Sequence, residues 1–293
     1  MDLDLITKKL DVYERLMRLD KPIGILLLLW PTLWALFIAG DGRPNWAIVL
    51  IFIIGTILMR SAGCVVNDIA DRNFDGLVAR TKARPLASAE VSVKEAYLLA
   101  TALAVIAFVF VCFLNKKTIY LSFAALFLAM SYPYTKRFIS VPQAYLGIAF
   151  GFGIPMAFAA ILNEIPLVAW LLLLANIFWA IAYDTEYAMV DREDDLKIGI
   201  KSSAIFFGKY DVQAVLLCYA FMLIILAYVG IHLGFTSYYY VGLLAAFLLV
   251  FQQYSFIKKR LKADCFKAFL KNTWIGLVIL LGIVAELIVK HLV

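Results

Sequence analysis

The chain has 293 residues, of which 64% are hydrophobic and 16% charged, with a mean hydropathy of +0.90. Ordinary soluble domains are roughly 45–50% apolar. Here the excess falls in runs of about 20 residues, the length that crosses a bilayer as a helix. A soluble domain with a large core is therefore excluded. An all-α, polytopic membrane protein is predicted, with the lipid bilayer as its surroundings. The net charge of +6 is read as an orientation signal, and no nucleic acid is expected as a partner.

Taken in chain order, residues 1–21 are mixed in charge, and no small-residue cleavage site follows a short apolar core, so they do not read as a cleavable signal peptide. Leu5, Val12, Leu16 and Leu19 share one helical face, which predicts an amphipathic helix lying on the membrane surface. Nine spans follow: 23–40, 46–66, 93–114, 118–134, 142–162, 166–190, 212–231, 236–254 and 273–290. Pro31 should kink the first of them. Gly147-x-x-x-Gly151 in the fifth permits close helix approach.

Lys and Arg crowd the N-terminal arm and the loops after the second, fourth, sixth and eighth spans. The other side holds Arg43, Lys116, Lys117 and Lys290. By the positive-inside rule the crowded side is cytoplasmic. The N-terminus is then cytoplasmic and the C-terminus outside, as an odd number of spans requires. Single-domain organisation over residues 1–293 is expected, with no obligate protein partner. Cys64, Cys112, Cys218 and Cys265 have no ligand spacing and read as reduced packing residues. Two histidines, His232 and His291, argue against a haem or zinc site.

Two acidic clusters depart from this pattern. Asn67, Asp68, Asp71 and Asp75 end the second span, and Asp184, Glu186, Asp191, Glu193, Asp194 and Asp195 end the sixth. Each opens a long cytoplasmic loop, 67–92 and 191–211, so function is expected on that face. Shifting the first cluster by 120 residues superposes Asp71 on Asp191, Arg72 on Arg192 and Asp75 on Asp195. Such a weak repeat would set the two clusters opposite each other across a central cavity.

Asn67, Asp71 and Asp75 are spaced i, i+4, i+8, and Asp184, Asp191 and Asp195 keep comparable spacing, so each set stays on one helical face. Asp68 lies about 100° off its stripe, which suits a neighbouring helix or a metal-bound water. Glu193 and Asp194 read as solvated loop charges. Carboxylates converging on one cavity raise one another's pKa unless a hard cation joins them. Mg²⁺ fits, since it takes oxygen ligands and is commonly held by one or two carboxylates plus substrate phosphates. Asp71, Asp75, Asp191 and Asp195 are the candidate metal ligands and catalytic carboxylates.

Arg72, Arg80, Lys82, Arg84, Lys136, Arg137, Arg192, Lys197 and Lys201 are nearby cations for a diphosphate. Arg60 sits inside a span, about 10 Å above Asn67 on the same face. It either pairs with Asp68 or Asp184 or holds a substrate carboxylate. Arg18 precedes the first span and reads as an interfacial anchor. Tyr132-Pro133-Tyr134-Thr135-Lys136-Arg137 is either an interfacial aromatic belt or an aromatic shield for a carbocation with a diphosphate-binding base beside it.

These residues resemble the UbiA superfamily of intramembrane prenyltransferases. Its N-D-x-x-D-x-x-x-D motif is matched by Asn67, Asp68, Asp71 and Asp75. Its second D-x-x-x-D motif is matched by Asp191 and Asp195, and its Y-x-x-x-K element by Tyr132 and Lys136. Five strings, 18–24, 30–34, 60–68, 80–85 and 198–202, are similar to the branch acting on 4-hydroxybenzoate in the ubiquinone pathway. Ala79 departs from the Lys expected there. The resemblance covers residues 15 to 210.

It implies nine helices around a cavity open to the cytoplasm and to lipid, in a bacterial inner membrane. It also implies Mg²⁺-dependent transfer from a polyprenyl diphosphate to the ring carbon ortho to the hydroxyl of 4-hydroxybenzoate. Asp71, Asp75, Asp191, Asp195, Lys136 and Arg137 would then be catalytic. Asn67, Asp68, Arg72, Tyr132, Asp184, Tyr187, Arg60 and Arg18 would bind substrate. Same-fold enzymes acting on naphthoate or haem, and more remotely an ion-coupled transporter, are the alternatives.

Overall fold

The computed structural model describes residues 3–76 and 81–292. Arg80, Ala79 and the side chain of Leu5 lie outside what is described. The described residues form helices and no strand: α1 (Leu3–Met17), α2 (Ile23–Ala39), α3 (Trp46–Asp75), α4 (Val93–Val111), α5 (Lys116–Thr135), α6 (Pro142–Gly151), α7 (Gly153–Leu162), α8 (Leu167–Ile198), α9 (Ser203–Phe207), α10 (Asp211–His232), α11 (Ser237–Ile257) and α12 (Lys262–Lys290).

Seven helical segments among these residues are long and apolar enough to cross a membrane. α2 is apolar but has 17 residues. α5 has 20 residues, but opens on Lys116 and Lys117 and closes on Ser131-Tyr132-Pro133-Tyr134, which lowers its hydropathy. Large apolar side chains such as Leu98, Phe113, Phe127, Leu244 and Phe251 are exposed around the outside. In water such a surface would be a liability, and in lipid it is the expected exterior.

Three expected spans are altered. The fifth breaks between α6 and α7 at Phe152, where Pro155 has no N–H to bond the Gly151 carbonyl, and Gly153 packs against Thr32 of α2, where a Cβ would stand 2.6 Å from Thr32 Oγ1. The second and sixth continue through their acidic clusters as helix, to Asp75 and Ile198. Residues 67–75 and 191–198 are therefore helix where loop was expected. This keeps the i, i+4 carboxylates on fixed faces beyond the apolar segment.

α8 lies at the centre, against α6, α7, α10 and α12, while α3 packs against α1, α2, α4, α5 and α7. The Gly147/Gly151 face carries α6 onto α8. A Cβ on Gly147 would stand 2.7 Å from the Ile177 Cα, and the buried Asn176 amide donates to the Gly147 carbonyl at 2.9 Å. Gly147→Leu should therefore force the helices apart. Overpacking of this kind costs about 1–3 kcal/mol, read as a lower melting temperature in detergent. An unchanged melting temperature would show the interface to be loose.

The Trp30–Trp34 string fastens α2 to α12. Trp30 donates to Thr273 Oγ1 at 3.0 Å, Trp34 donates to the Gly276 carbonyl at 3.0 Å, and Trp34 stacks on Trp179 at 5.5 Å. The four cysteines are free, with Cys112 exposed rather than packed.

α1 departs from a helix merely resting on the surface. Leu16 is fully buried with Val65, Val66 and Ile69 of α3 and with Leu86, Val91, Ala96 and Ala100, and Val12 packs beside them. Lys9 and Tyr13 bond Glu95, and Arg15 bonds Glu90. Leu19 stays on the outer side of this contact.

Candidate active site

One cavity of about 1360 Å³ runs down the bundle. Its mouth is polar and its depth apolar. Asn67, Asp71 and Asp75 line it from α3, and Asp184, Tyr187, Asp191 and Asp195 line it from α8. The facing of the two clusters expected from the repeat is thus realised, since α3 and α8 present their acidic stripes to the same space. Arg18, Arg60, Arg84, Tyr132, Lys136 and Lys201 also line it. The deeper wall includes Leu27, Phe52, Gly55, Met59, Phe108, Val111, Phe123, Leu126, Phe150 and Met156.

The first cluster is held by cations drawn from three separate segments. Lys136, at the end of α5, donates to Asp71 Oδ2 at 2.6 Å and Asn67 Oδ1 at 3.1 Å, and the Asn67 amide donates back to Asp71 at 3.1 Å. Arg84 Nη1 reaches both oxygens of Asp75, at 2.9 and 2.8 Å, and Asp68 Oδ1 at 3.0 Å. Arg18 donates to the same Asp68 oxygen at 2.5 Å, from a backbone with φ of 59° just after α1. A left-handed conformation costs a non-glycine residue of order 1 kcal/mol, so the ion pair fixes a turn that the backbone alone would disfavour. Thr81 Oγ1 donates to the Asp75 carbonyl at 2.8 Å and closes the end of α3. Burial holds the Asp75 carboxyl above the ordinary carboxylate range, and the Arg84 guanidinium pulls the other way.

The expected site residues thus divide. Asp68 is buried under Arg18 and Arg84 and does not line the cavity. This realises the neighbouring-segment alternative left open for it. Arg72 is exposed at the end of α3 and also lies off the cavity wall. Arg137 donates to the Ala70 carbonyl at 2.9 Å and borders a crevice of about 110 Å³ that it shares with Asp71 and Lys136. Arg192 turns to the buried Asp211, and Lys197 pairs with Asp194 at the surface. Glu193 pairs with Lys262, as a loop charge would.

Arg60 bonds Cys64 Sγ and lies 5.7 Å from the Phe150 ring centroid, while its Nε is buried with no hydrogen-bond partner. The pairing with Asp68 does not occur; Arg18 and Arg84 bond that carboxylate through Oδ1, and the charge of Arg60 is felt at Asp184 instead.

Arg84, Lys201 and Gln143 are the residues whose specific roles the sequence left unassigned. Gln143 at the start of α6 accepts from the Ser203 amide at 3.0 Å and reaches Asp184. The Lys201 amide donates to the Lys136 carbonyl at 3.1 Å, and its ammonium donates to the Phe138 carbonyl at 3.1 Å. The segment after α8 is thereby tied to the end of α5. The Gln143 and Lys201 contacts cross tens of residues, and no local spacing signals them.

The site also fits a hard cation in chemistry. Its donors are carboxylate and amide oxygens from two helices. Among the described residues no three acidic, His or Cys side chains converge into a ready-made metal cage. Carboxylate and amide oxygens are the donors that a hard cation such as Mg²⁺ takes, with water or phosphate oxygens completing its shell.

A model described as the UbiA prenyltransferase family matches residues 28–277. A 4-hydroxybenzoate octaprenyltransferase from Methylobacillus flagellatus is 61% identical over 96% of this chain and 95% of its own length. One from Dechloromonas aromatica is 59% identical over 97% of each. Among solved structures, a UbiA homologue from Aeropyrum pernix superposes with a TM-score of 0.77 at 24% identity, covering 92% of this chain and 98% of its own. A homologue from Archaeoglobus fulgidus, bound to GPP and Mg²⁺, superposes with a TM-score of 0.68 at 19% identity, covering 92% and 99%.

Proposed function

The chain belongs to the UbiA prenyltransferase family, and from that premise we propose how its cavity carries out the reaction named for its relatives. It is a membrane-embedded prenyltransferase of the 4-hydroxybenzoate branch, acting in ubiquinone biosynthesis. It joins a polyprenyl group from its diphosphate to the ring carbon ortho to the hydroxyl of 4-hydroxybenzoate and releases diphosphate. The observation that carries this reading is the convergence of two carboxylate stripes at the mouth of one large, otherwise apolar cavity.

Asp71, Asp75, Asp191 and Asp195 would hold Mg²⁺. When bound, it supplies positive charge that neutralises the diphosphate as its bond to carbon breaks. Lys136 and Lys201 supply further charge for the phosphate oxygens, because both line the cavity where Arg72 does not. Arg137 serves from the adjoining crevice. Arg84 and Arg18 keep Asp75 and Asp68 paired at the rim of the site.

The apolar wall takes the isoprenoid tail, at a volume above the roughly 300–1,000 Å³ common for small-molecule pockets. Tyr132 and Phe150, 6.4 Å apart, face the carbon that becomes cationic, where ring faces attract positive charge. Arg60, with its unpartnered Nε, holds the benzoate carboxylate. Tyr187 and Asp184 complete the wall beside the acceptor. The electron-rich ring carbon then attacks the allylic cation and loses its proton.

The chain acts as one domain with nine crossings, its N-terminus and site on the cytoplasmic side of a bacterial inner membrane. Lysines and arginines gathered beside the cavity mouth support this orientation.

Membranes carrying the protein, given labelled 4-hydroxybenzoate and an allylic polyprenyl diphosphate, should yield a lipid-extractable labelled product that disappears with EDTA and returns with Mg²⁺. Absence of product with several donors would reject the acceptor. EDTA-resistant product would reject the metal.

A further inference from the structure

Glu186 is an acidic residue of α8 that the reaction does not use. At about 100° per residue it lies roughly 140–180° around the helix from Asp184, Asp191 and Asp195, on the side away from the cavity, and it is fully buried. Its hydrogen-bond partners are uncharged: Tyr219 of α10 and Asn272 of α12. Tyr219 Oη lies 3.0 Å from Glu186 Oε1 and 2.8 Å from Asn272 Oδ1. The Asn272 amide donates to Glu186 Oε2 at 2.8 Å and to the Ala268 carbonyl at 3.2 Å. Trp179 Nε1 donates to Asn272 Oδ1 at 2.9 Å.

The protons in this cluster can be counted. A tyrosine hydroxyl has one, so it cannot donate to Glu186 and Asn272 together. With an ionised carboxylate, one of its two short contacts would be oxygen against oxygen with no proton between. With a protonated carboxyl, Glu186 donates to Tyr219, and Tyr219 donates to Asn272. Trp179 donates to the second lone pair of the same amide oxygen, and the amide donates to the other Glu186 oxygen. Every contact then has its proton. A buried carboxylate facing only neutral partners would also be expensive.

We propose that Glu186 is a neutral carboxylic acid. With Trp179, Tyr219 and Asn272 it forms a buried lock that sets the rotation of α8, so that Asp184, Tyr187, Asp191 and Asp195 face the cavity. It is a positioning residue. The same lock sets α12 against α8, where Tyr187 meets Phe269 with ring centroids 4.8 Å apart, and Phe266, Phe269 and Thr273 form part of the cavity wall.

The catalytic half of this inference rests on the prenyl-transfer reading, and the protonation half does not. In purified full-length protein at neutral pH, infrared difference spectra between wild type and Glu186→Gln should show a protonated-carboxyl band present only in wild type. Glutamine reproduces both roles of the neutral acid, so kcat and KM should stay within about twofold. Glu186→Leu strands the Asn272 amide, frees α8 to rotate, and should lower kcat by about tenfold or more, with a smaller change in KM.

A missing band, or a Gln variant as impaired as Leu, would overturn the inference. Should Glu186→Leu not fold, the infrared spectrum and the Gln variant still decide it. Should the wild type transfer no prenyl group, that earlier reading fails while the band still reports the proton.

Discussion

Asp191→Ala should lower turnover by about 10³-fold or more at saturating Mg²⁺. The residue lies half-buried on the cavity wall of α8, across from Asp71 and Asp75 of α3. If it holds a cation against the departing diphosphate, its loss removes several kcal/mol of charge stabilisation, at about 1.4 kcal/mol per tenfold. A binding readout separates this from misfolding. Inorganic diphosphate with Mg²⁺ should raise the melting temperature of the wild type and leave that of the variant unchanged, while the two melt alike without ligand. Turnover near wild type would remove Asp191 from the metal site. Loss of activity with ligand stabilisation intact would assign it to a step after diphosphate binding.

Gly55→Trp should shift the protein's donor preference toward short allylic diphosphates. Gly55 lines the apolar part of the cavity, and a Cβ there would have nothing within 4 Å. It lies 16 residues, about 24 Å of helix, from Asp71 at the mouth. An indole filling that space obstructs the far end of a long tail and leaves the diphosphate end untouched. Transfer from an octaprenyl donor should fall at least about tenfold, against near wild-type transfer from geranyl diphosphate, since excluding tail from an apolar pocket costs about 0.8 kcal/mol per CH₂ left unburied. Replacing a mid-helix glycine favours the helix by up to about 1 kcal/mol, so lost stability is not the expected cause. An equal fall with both donors would show that the tail does not pass Gly55.

Much of the cavity's polar lining is legible in the sequence, and the reason is local. Asp71, Asp75, Asp191 and Asp195, which line the cavity, stand out because carboxylates at i, i+4 on an apolar helix are both rare and confined to one face. Lys136 was found because it follows an aromatic helix end. The cations were ranked less well. Arg72 and Arg192 sit inside the acidic strings, yet one is exposed and the other pairs with Asp211. Arg84, which bridges Asp68 and Asp75, was one of nine basic residues with nothing to distinguish it. For Arg60 the sequence offers Asp68, Asp184 or a substrate carboxylate as partner, and the structure removes Asp68, which bonds Arg18 and Arg84.

By itself the sequence determined the membrane class and the helical fold, and it carries the charge asymmetry from which a cytoplasmic site is proposed. Hydrophobic run length and the placement of Lys and Arg are properties of the chain before any packing. It also determined the two acidic stripes, since helical spacing alone aligns them. Only the tertiary structure decided that both stripes open on one cavity, which cations reach them, how deep the apolar wall runs and that Glu186 faces a neutral lock. These depend on how α3, α5, α8 and α12 are rotated against one another. That rotation is set by contacts such as Gly147 on Ile177, Trp34 on Gly276 and Asn272 on Glu186, between residues tens to hundreds of positions apart, where no local period carries a signal.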